Sequence, residues 1–265
     1  MKEKGINRKE LKYEKYNNFT ELDSVTKKFI IDKTNSIFSS GWGSFPAEVL
    51  EHHLNGSSVL FLKYKGAYIG VGALSIKNLA NTKVRYIEFL GIKKDFQNFK
   101  LGPRLSYYLL RSFAFRSIIY SIFNPIEIMF ITPNLRVLYL MAKYASFIYP
   151  NPFHMTENGL EHADEQTWRM AQELIKQSDN PMRTLHREGL ILENSYSQTP
   201  WLIYNQDNAP WHRDERLNQF AKKYLGYEIT ADKELIVRTK LNIFSLIRYL
   251  ITTYASRSKK LWKLN

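Results

Sequence analysis

Apolar and polar positions along the chain change period several times, and each change marks an element. Thr20 and Asp23 stand as caps ahead of Leu22, Val25, Phe29 and Ile30, whose spacing predicts a helix. The loop SSGWGSFP ends it at Gly41, Gly43 and Pro46, and a short helix from Ala47 to Leu54 stops at Asn55-Gly56. SVLFLKY and AYIGVGALSI then read as two strands joined by a Lys65-Gly66 turn, and Asn78 to Thr82 turns the chain once more. Tyr86, Ile87, Phe89, Leu90 and Ile92 form a nearly continuous apolar run, the pattern of a central strand buried on both faces. A polar turn, Lys93 to Lys100, follows. The apolar run restarts with helical spacing at Leu101, Leu105, Tyr108 and Leu109, with Gly102 and Pro103 in the first turn, where proline's missing N–H costs nothing.

Arg104 to Phe123 is apolar nearly all round, which predicts a helix packed on a sheet with Arg104, Arg111 and Arg116 reaching outward. Asn124-Pro125 ends it, IEIMFIT reads as a strand, and Asn134 opens the helix LRVLYLMAKYASF. The remaining 115 residues predict helices at Glu161–Gln177 and Asp214–Leu225, the second stopped by Gly226. They also predict strands at Gly189–Glu193 and Glu234–Leu241, an aromatic loop from Trp201 to Trp211, and an amphipathic helix from Asn242 to Trp262. No repeat and no Gly/Ser linker divides the chain. The organisation expected is a partly ordered lead-in (1–19), a core (20–150), and an extension (151–265) completing the same domain and ending in a basic amphipathic helix.

Composition narrows the class. With 44% hydrophobic and 14% aromatic residues, 265 positions suffice for a large core. The net charge of +13 suits a polyanionic partner: a nucleotide, an anionic membrane surface or a nucleic acid. The chain has no cysteine, which removes disulfides, Cys-based zinc sites and a cysteine nucleophile. The first 18 residues lack a signal-peptide apolar core, and no run approaches the ~18–20 apolar residues of a membrane span. The location expected is cytoplasmic, with peripheral membrane contact left open by the C-terminal helix.

The strand, basic turn and helix start from Lys83 to Leu110 make an anion site, because free N–H groups and the positive end of the helix dipole point into the turn. Gln97, Lys100 and Arg104 are its phosphate candidates, set against the plain alternative of a solvated basic loop. Glu88 is a carboxylate within the apolar run, a place where an acid must be paired, shifted in proton affinity or open to a cleft. The structural alternative is an ion pair with Arg85 or Lys83 on a neighbouring strand. Strand alternation puts Glu88 on the side of Tyr86, Leu90 and Ile92.

From Ile92 the pattern I-x-x-x-x-Q-x-x-K-x-G (Ile92, Gln97, Lys100, Gly102) resembles the acyl-CoA signature of the GNAT superfamily of N-acetyltransferases. Lys100 stands where that family usually has its first glycine. Two helices, a hairpin, a signature strand with its helix, then strand–Thr-x-Asn–helix match the family's element order over about residues 20–150. The resemblance implies an α/β (α+β) fold: a mixed, mostly antiparallel central sheet flanked by helices, with a helical C-terminal extension. It implies acetyl-CoA or a longer acyl-CoA as donor, bound by Leu90, Ile92, Gln97, Lys100, Leu101, Gly102 and Arg104, with Asn134 on the pantetheine arm. It implies Glu88 as general base towards an amine acceptor. The thiolate acid of the family falls here at Met141, so Tyr139 and Tyr144, on other faces, are the candidates. Packing is the plainer reading of both.

Other signals are weaker. His52 and His53 are adjacent on a helix and point apart, His154, His162, His186 and His212 are scattered, and no metal is assigned. No Gly-x-Ser-x-Gly elbow supports a serine triad. Trp201, Tyr204, Trp211 and His212 either line an acceptor pocket or pack under their loop. The C-terminal helix with Trp262 either packs on its domain or lies on a membrane. The function expected is acyl transfer from acyl-CoA, or a related thioester donor, to an amine within a ternary complex. The alternative is a non-catalytic GNAT-like module whose basic surface holds a membrane or other polyanion. No dedicated nucleic-acid motif is present.

Overall fold

A computed structural model of the chain describes residues 6–41, 43–119, 125–154, 159–177, 182–195, 211–227, 232–245 and 247–248. Its contacts divide into two compact units, so the 20–150 stretch is shared between them. The first takes the residues up to Lys77 together with Arg85–Phe115; the second takes Asn78–Val84 and the chain from Arg116 onward, apart from Thr199–Leu202. The architecture is mixed α/β, with antiparallel strand pairing and flanking helices.

The first unit holds β1 (Leu11–Tyr16), β2 (Ser58–Tyr64) and most of β3 (Ala67–Leu79) and β4 (Thr82–Ile92), strands that neighbour one another in that order. Both hairpin turns are two residues long with positive φ at each: Lys65 and Gly66 at 51° and 85°, Ala80 and Asn81 at 46° and 60°. That is the handedness that suits the twist of the flanking strands. Helices α1 (Ser24–Phe38) and α2 (Ala47–Leu54) cover one face, where Ile30, Ile37, Phe38, Leu50 and Leu54 bury against Val59, Phe61, Val71 and Ala73. Helix α3 (Leu101–Ile119) covers the other. Gly70 and Gly72 of β3 make room for it: a Cβ on Gly72 would stand 3.2 Å from Leu109, and one on Gly70 only 2.6 Å from Ile92 and 3.3 Å from Leu105.

Helix α1 departs from the expected stripe. It begins at Ser24, capped by Asp23 Oδ1 on the Thr26 N–H at 2.9 Å, so Leu22 precedes it. Val25 lies five positions, roughly 140° around the helix, from the buried Ile30 and is 77% exposed. The buried stripe is Ile30, Thr34, Ile37 and Phe38.

The second unit pairs β5 (Ile126–Thr132), β9 (Glu234–Leu241), β8 (Ile191–Glu193) and β7 (Thr184–His186) in that order, with β6 (Phe147–Tyr149) also on β9. Helices α4 (Leu135–Tyr144), α5 (Glu165–Lys176) and α6 (Glu215–Phe220) accompany them. A π-helical turn, Ala221–Leu225, continues α6 and ends at Gly226, φ 69°. Arg238 of β9 is buried, with 2% of its side chain exposed. It donates from Nη2 and Nε to Glu127 of β5 at 2.9 and 3.1 Å, and from Nη1 to Thr167 Oγ1 on α5 at 2.6 Å. One guanidinium thus ties two strands and a helix. Where the C-terminal helix is predicted to start, Asn242 Oδ1 accepts from the Ser245 N–H at 2.9 Å; the stretch from residue 249 on, with Trp262 and the basic tail, lies outside the described residues. No helix among the described residues is long and apolar enough to cross a membrane.

Candidate active site

The signature stretch folds as strand, single 3₁₀ segment (Lys94–Phe99) and helix. Its strand side is tied down. The Lys93 N–H donates to Ile69 O at 2.9 Å, the Lys94 N–H to Ser40 Oγ at 3.1 Å, and Gln97 Nε2 reaches back to Ile92 O at 3.2 Å. Gln97 therefore closes the turn by bonding the last carbonyl of β4. Lys100 is the pivot into α3. Its φ of 58° and ψ of 34° are left-handed, the conformation that glycine adopts without a Cβ penalty. This is the physical reason a glycine is suited to that position, and the cost of having lysine there.

Beyond the pivot, Leu101 and Leu105 anchor α3 in the core while Gly102 faces open space: a Cβ added there meets nothing within 4 Å. The first-turn N–H groups of Leu101, Gly102 and Arg104 have no partner within the helix by geometry, and Pro103 has no N–H to offer. Lys94 and Lys100 are exposed beside this turn. Arg104 is engaged elsewhere, donating from Nε to Tyr13 Oη at 2.8 Å; Tyr13 stacks on Tyr108 with ring centres 4.0 Å apart. Leu90 is half-buried on β4. Gly91 lets α1 cross the strand, since a Cβ there would lie 2.4 Å from Phe38 Cε1.

Glu88 is the chemical centre of β4, with 5% of its side chain exposed. Ser75 Oγ donates to its Oε1 at 2.7 Å and Lys77 Nζ stands 3.5 Å from the same oxygen. His53 Nδ1 of α2 lies 3.4 Å from Oε2. Lys77 is held over the Tyr86 ring, 4.9 Å from its centre. The ion partners are thus Lys77 and His53, not the Arg85 or Lys83 anticipated. The expected alternation also fails here. Glu88 meets His53 on α2, and the next residue, Phe89, meets Phe38 on α1, ring centres 5.4 Å apart. Ile92 meanwhile faces Leu105's side of the sheet. Two successive side chains, Glu88 and Phe89, thus reach α2 and α1, while Ile92 lies towards Leu105.

His53, Ser75 and Lys77 escaped the sequence reading. Ser75 and Lys77 stand two apart on one strand, and a pair of polar residues sharing a strand face was the available signal. Nothing in sequence links His53 to Glu88 across 35 positions.

The remaining candidates belong to the second unit. Asn134 caps α4, its Oδ1 accepting from the Arg136 N–H at 2.9 Å. Tyr139 packs on His212 and Phe153 with ring centres 4.6 and 6.1 Å away, and Lys143 lies over the Tyr144 ring at 5.5 Å. Burial, with the charges of Arg136 and Arg213, holds the His212 imidazole below its usual proton affinity against the pull of Asp214. Met141 is buried. Trp211 packs against Tyr227 at 5.6 Å; Trp201 and Tyr204 lie outside the described residues.

Neither a protein-family model nor any curated protein matches the sequence. Among solved structures the chain is similar to a GNAT family acetyltransferase from Elizabethkingia anophelis with acetyl-CoA bound, at 12% identity over 88% of this chain and 99% of that one, TM-score 0.41. It is also similar to an IAA acetyltransferase from Bacillus cereus, at 11% identity over 87% and 99% of the two chains, TM-score 0.39. A third is the ribosomal-protein-alanine N-acetyltransferase of Escherichia coli, at 13% identity over 57% and 88%, TM-score 0.38.

Proposed function

We propose that this chain transfers an acyl group from a CoA thioester, acetyl-CoA or a longer acyl-CoA, to an amine. The observation that carries the reading is the junction of β4 and α3, where a left-handed Lys100 opens a helix N-terminus whose second residue, Gly102, faces open space. Such a junction receives phosphate oxygens on backbone N–H groups, because the amides and the dipole are fixed before the ligand arrives. The lysines beside it add charge for a nucleotide diphosphate. Four residues before Ile92, the last of β4, is Glu88, a nearly buried carboxylate ringed by a hydroxyl, an ammonium and an imidazole. An amine must lose a proton as it attacks a thioester, and this group of side chains is equipped to accept one. Tyr139 and Tyr144 are the candidates for returning a proton to the leaving thiolate, and Asn134 for touching the arm of the donor.

The test is a thermal-shift series with acetyl-CoA, longer acyl-CoAs and free CoA. A ligand at 100 times its Kd raises stability by about 2.7 kcal/mol. Gly102→Val should fold, because its Cβ meets nothing within 4 Å, and should lose the CoA-dependent shift. A folded Gly102→Val protein that binds CoA with unchanged affinity overturns the site.

A further inference from the structure

Resting on that reading, we propose that the group which receives the amine's proton is His53, and that Glu88 is the carboxylate that orients it. The Glu88 side chain is 5% exposed and its Oε1 is already met by Ser75 Oγ and Lys77 Nζ at 2.7 and 3.5 Å. An incoming amine would have to displace those contacts to reach it. His53 stands outside it, 42% exposed, with Nδ1 towards Oε2 at 3.4 Å. A carboxylate only accepts, so Nδ1 carries the hydrogen of the neutral ring and the lone pair falls on Nε2. Among the described residues Nε2 has no hydrogen-bond partner, and the ring is accessible. Carboxylate on Nδ1, open lone pair on Nε2, is the arrangement that makes imidazole a general base and stabilises the imidazolium it becomes.

Among the described residues, three charged or titratable groups face the ring or its carboxylate. Glu88 faces it from β4, and Lys77 approaches the same carboxylate from β3. His52 on its own helix meets it edge to face, ring centres 5.8 Å apart. Lys77 is pinned over Tyr86 and bonded to the carboxylate oxygen that His53 does not use, so it fixes Glu88 without competing for Oε2. His53 sits in the last turn of α2. In the step itself the amine nitrogen bonds to the thioester carbonyl carbon as the carbon–sulfur bond breaks. The amine proton passes to Nε2 and on to solvent, and the departing CoA thiolate takes up one proton from the acid that serves it.

Two measurements decide it. Diethyl pyrocarbonate modifies an imidazole at its free lone pair, and tandem mass spectrometry separates His53 from His52. Glu88→Gln should slow carbethoxylation of His53 several-fold and leave His52 unchanged. Equal His53 rates in the two proteins overturn the pair, whether or not any amine is acylated. For turnover, acetyl-CoA is offered with putrescine, lysine ethyl ester, benzylamine or kanamycin. With an amine that wild type acetylates, His53→Ala and His53→Gln should each lose ~10²–10⁴-fold in kcat with acetyl-CoA KM unchanged. Added imidazole should restore part of the His53→Ala rate, which a merely structural histidine would not allow. Wild-type turnover in both His53 variants, with Glu88→Gln inactive, assigns the proton to Glu88 and overturns the proposal. Absence of CoA binding by wild type fails the acyl-transfer reading, while the carbethoxylation result still decides the pair.

Discussion

Lys100→Gly should stabilise the protein. A residue with a Cβ held at φ 58°, ψ 34° is strained by roughly 1–2 kcal/mol relative to the right-handed conformations. Glycine removes that strain but brings back ~0.5–1 kcal/mol of chain entropy in the unfolded state. The difference leaves a gain of about 0.5–1 kcal/mol. For a chain of this size that is a rise of about 1–4 °C in Tm. The side chain contributes little to offset it, since Lys100 is exposed. Lys100→Ala is the control: it removes the charge and keeps the Cβ, so its Tm should stay near wild type. Differential scanning calorimetry of the three proteins, with CoA titrated into each, separates backbone from charge. If the lysine also attracts the donor, both variants weaken CoA binding equally and that loss fades with added salt. A Lys100→Gly protein no more stable than Lys100→Ala would refute the strain argument.

Three further outcomes are expected. Gly91→Ala forces a Cβ to 2.4 Å from Phe38 Cε1 and should cost about 1–3 kcal/mol by urea denaturation, most of it recovered when Phe38→Leu is added. Arg238→Met leaves Glu127 with Lys240, 3.1 Å away, as its one remaining ion partner among the described residues, and should cost about 3–5 kcal/mol in the same assay. Asp164, the cap of α5, supplies the pH dependence. Burial opposes ionisation, but the Thr167 N–H and hydroxyl and the charge of Arg238 outweigh it and hold the carboxyl below its ordinary value. A depressed carboxylate stabilises above its unfolded value and loses that contribution as pH falls through the folded one. The melting gap between wild type and Asp164→Asn should therefore narrow from pH 5 downward; a gap that widens contradicts the assignment.

The strands and helices were legible because burial repeats locally. SVLFLKY is β2 to the residue, and Lys65-Gly66 is the turn that follows it. The helix start at Leu101 was visible in the switch from strand run to helical spacing. What failed was phase. The stripe through Leu22 and Val25 assumed that α1 starts before its cap, whereas Asp23 starts it at Ser24 and turns Val25 to solvent. Alternation along β4 failed at Glu88 and Phe89, whose successive side chains meet α2 and α1, because which helix a strand residue meets is set by packing and not by the strand's own period.

The candidate site divides along the same line. Its backbone part was readable, because the β4–α3 junction is continuous in sequence and its geometry follows from a strand end, a left-handed pivot and a helix start. Its side-chain part was not. Glu88 stood out as an acid in an apolar run, yet the partners that define its chemistry come from α2 and β3, at separations of 35, 13 and 11 positions. Ser57 Oγ donates to the His53 carbonyl at 3.1 Å and the Asn55 N–H to those of Glu51 and His52 at 2.9 and 3.2 Å. These bonds fix the last turn of α2, so the imidazole is presented to Glu88 by the helix end rather than by a flexible loop. A sequence shows a carboxylate that needs an explanation; the packing of α2 on the sheet supplies it, by setting the half-exposed His53 imidazole 3.4 Å from the nearly buried Glu88 carboxylate.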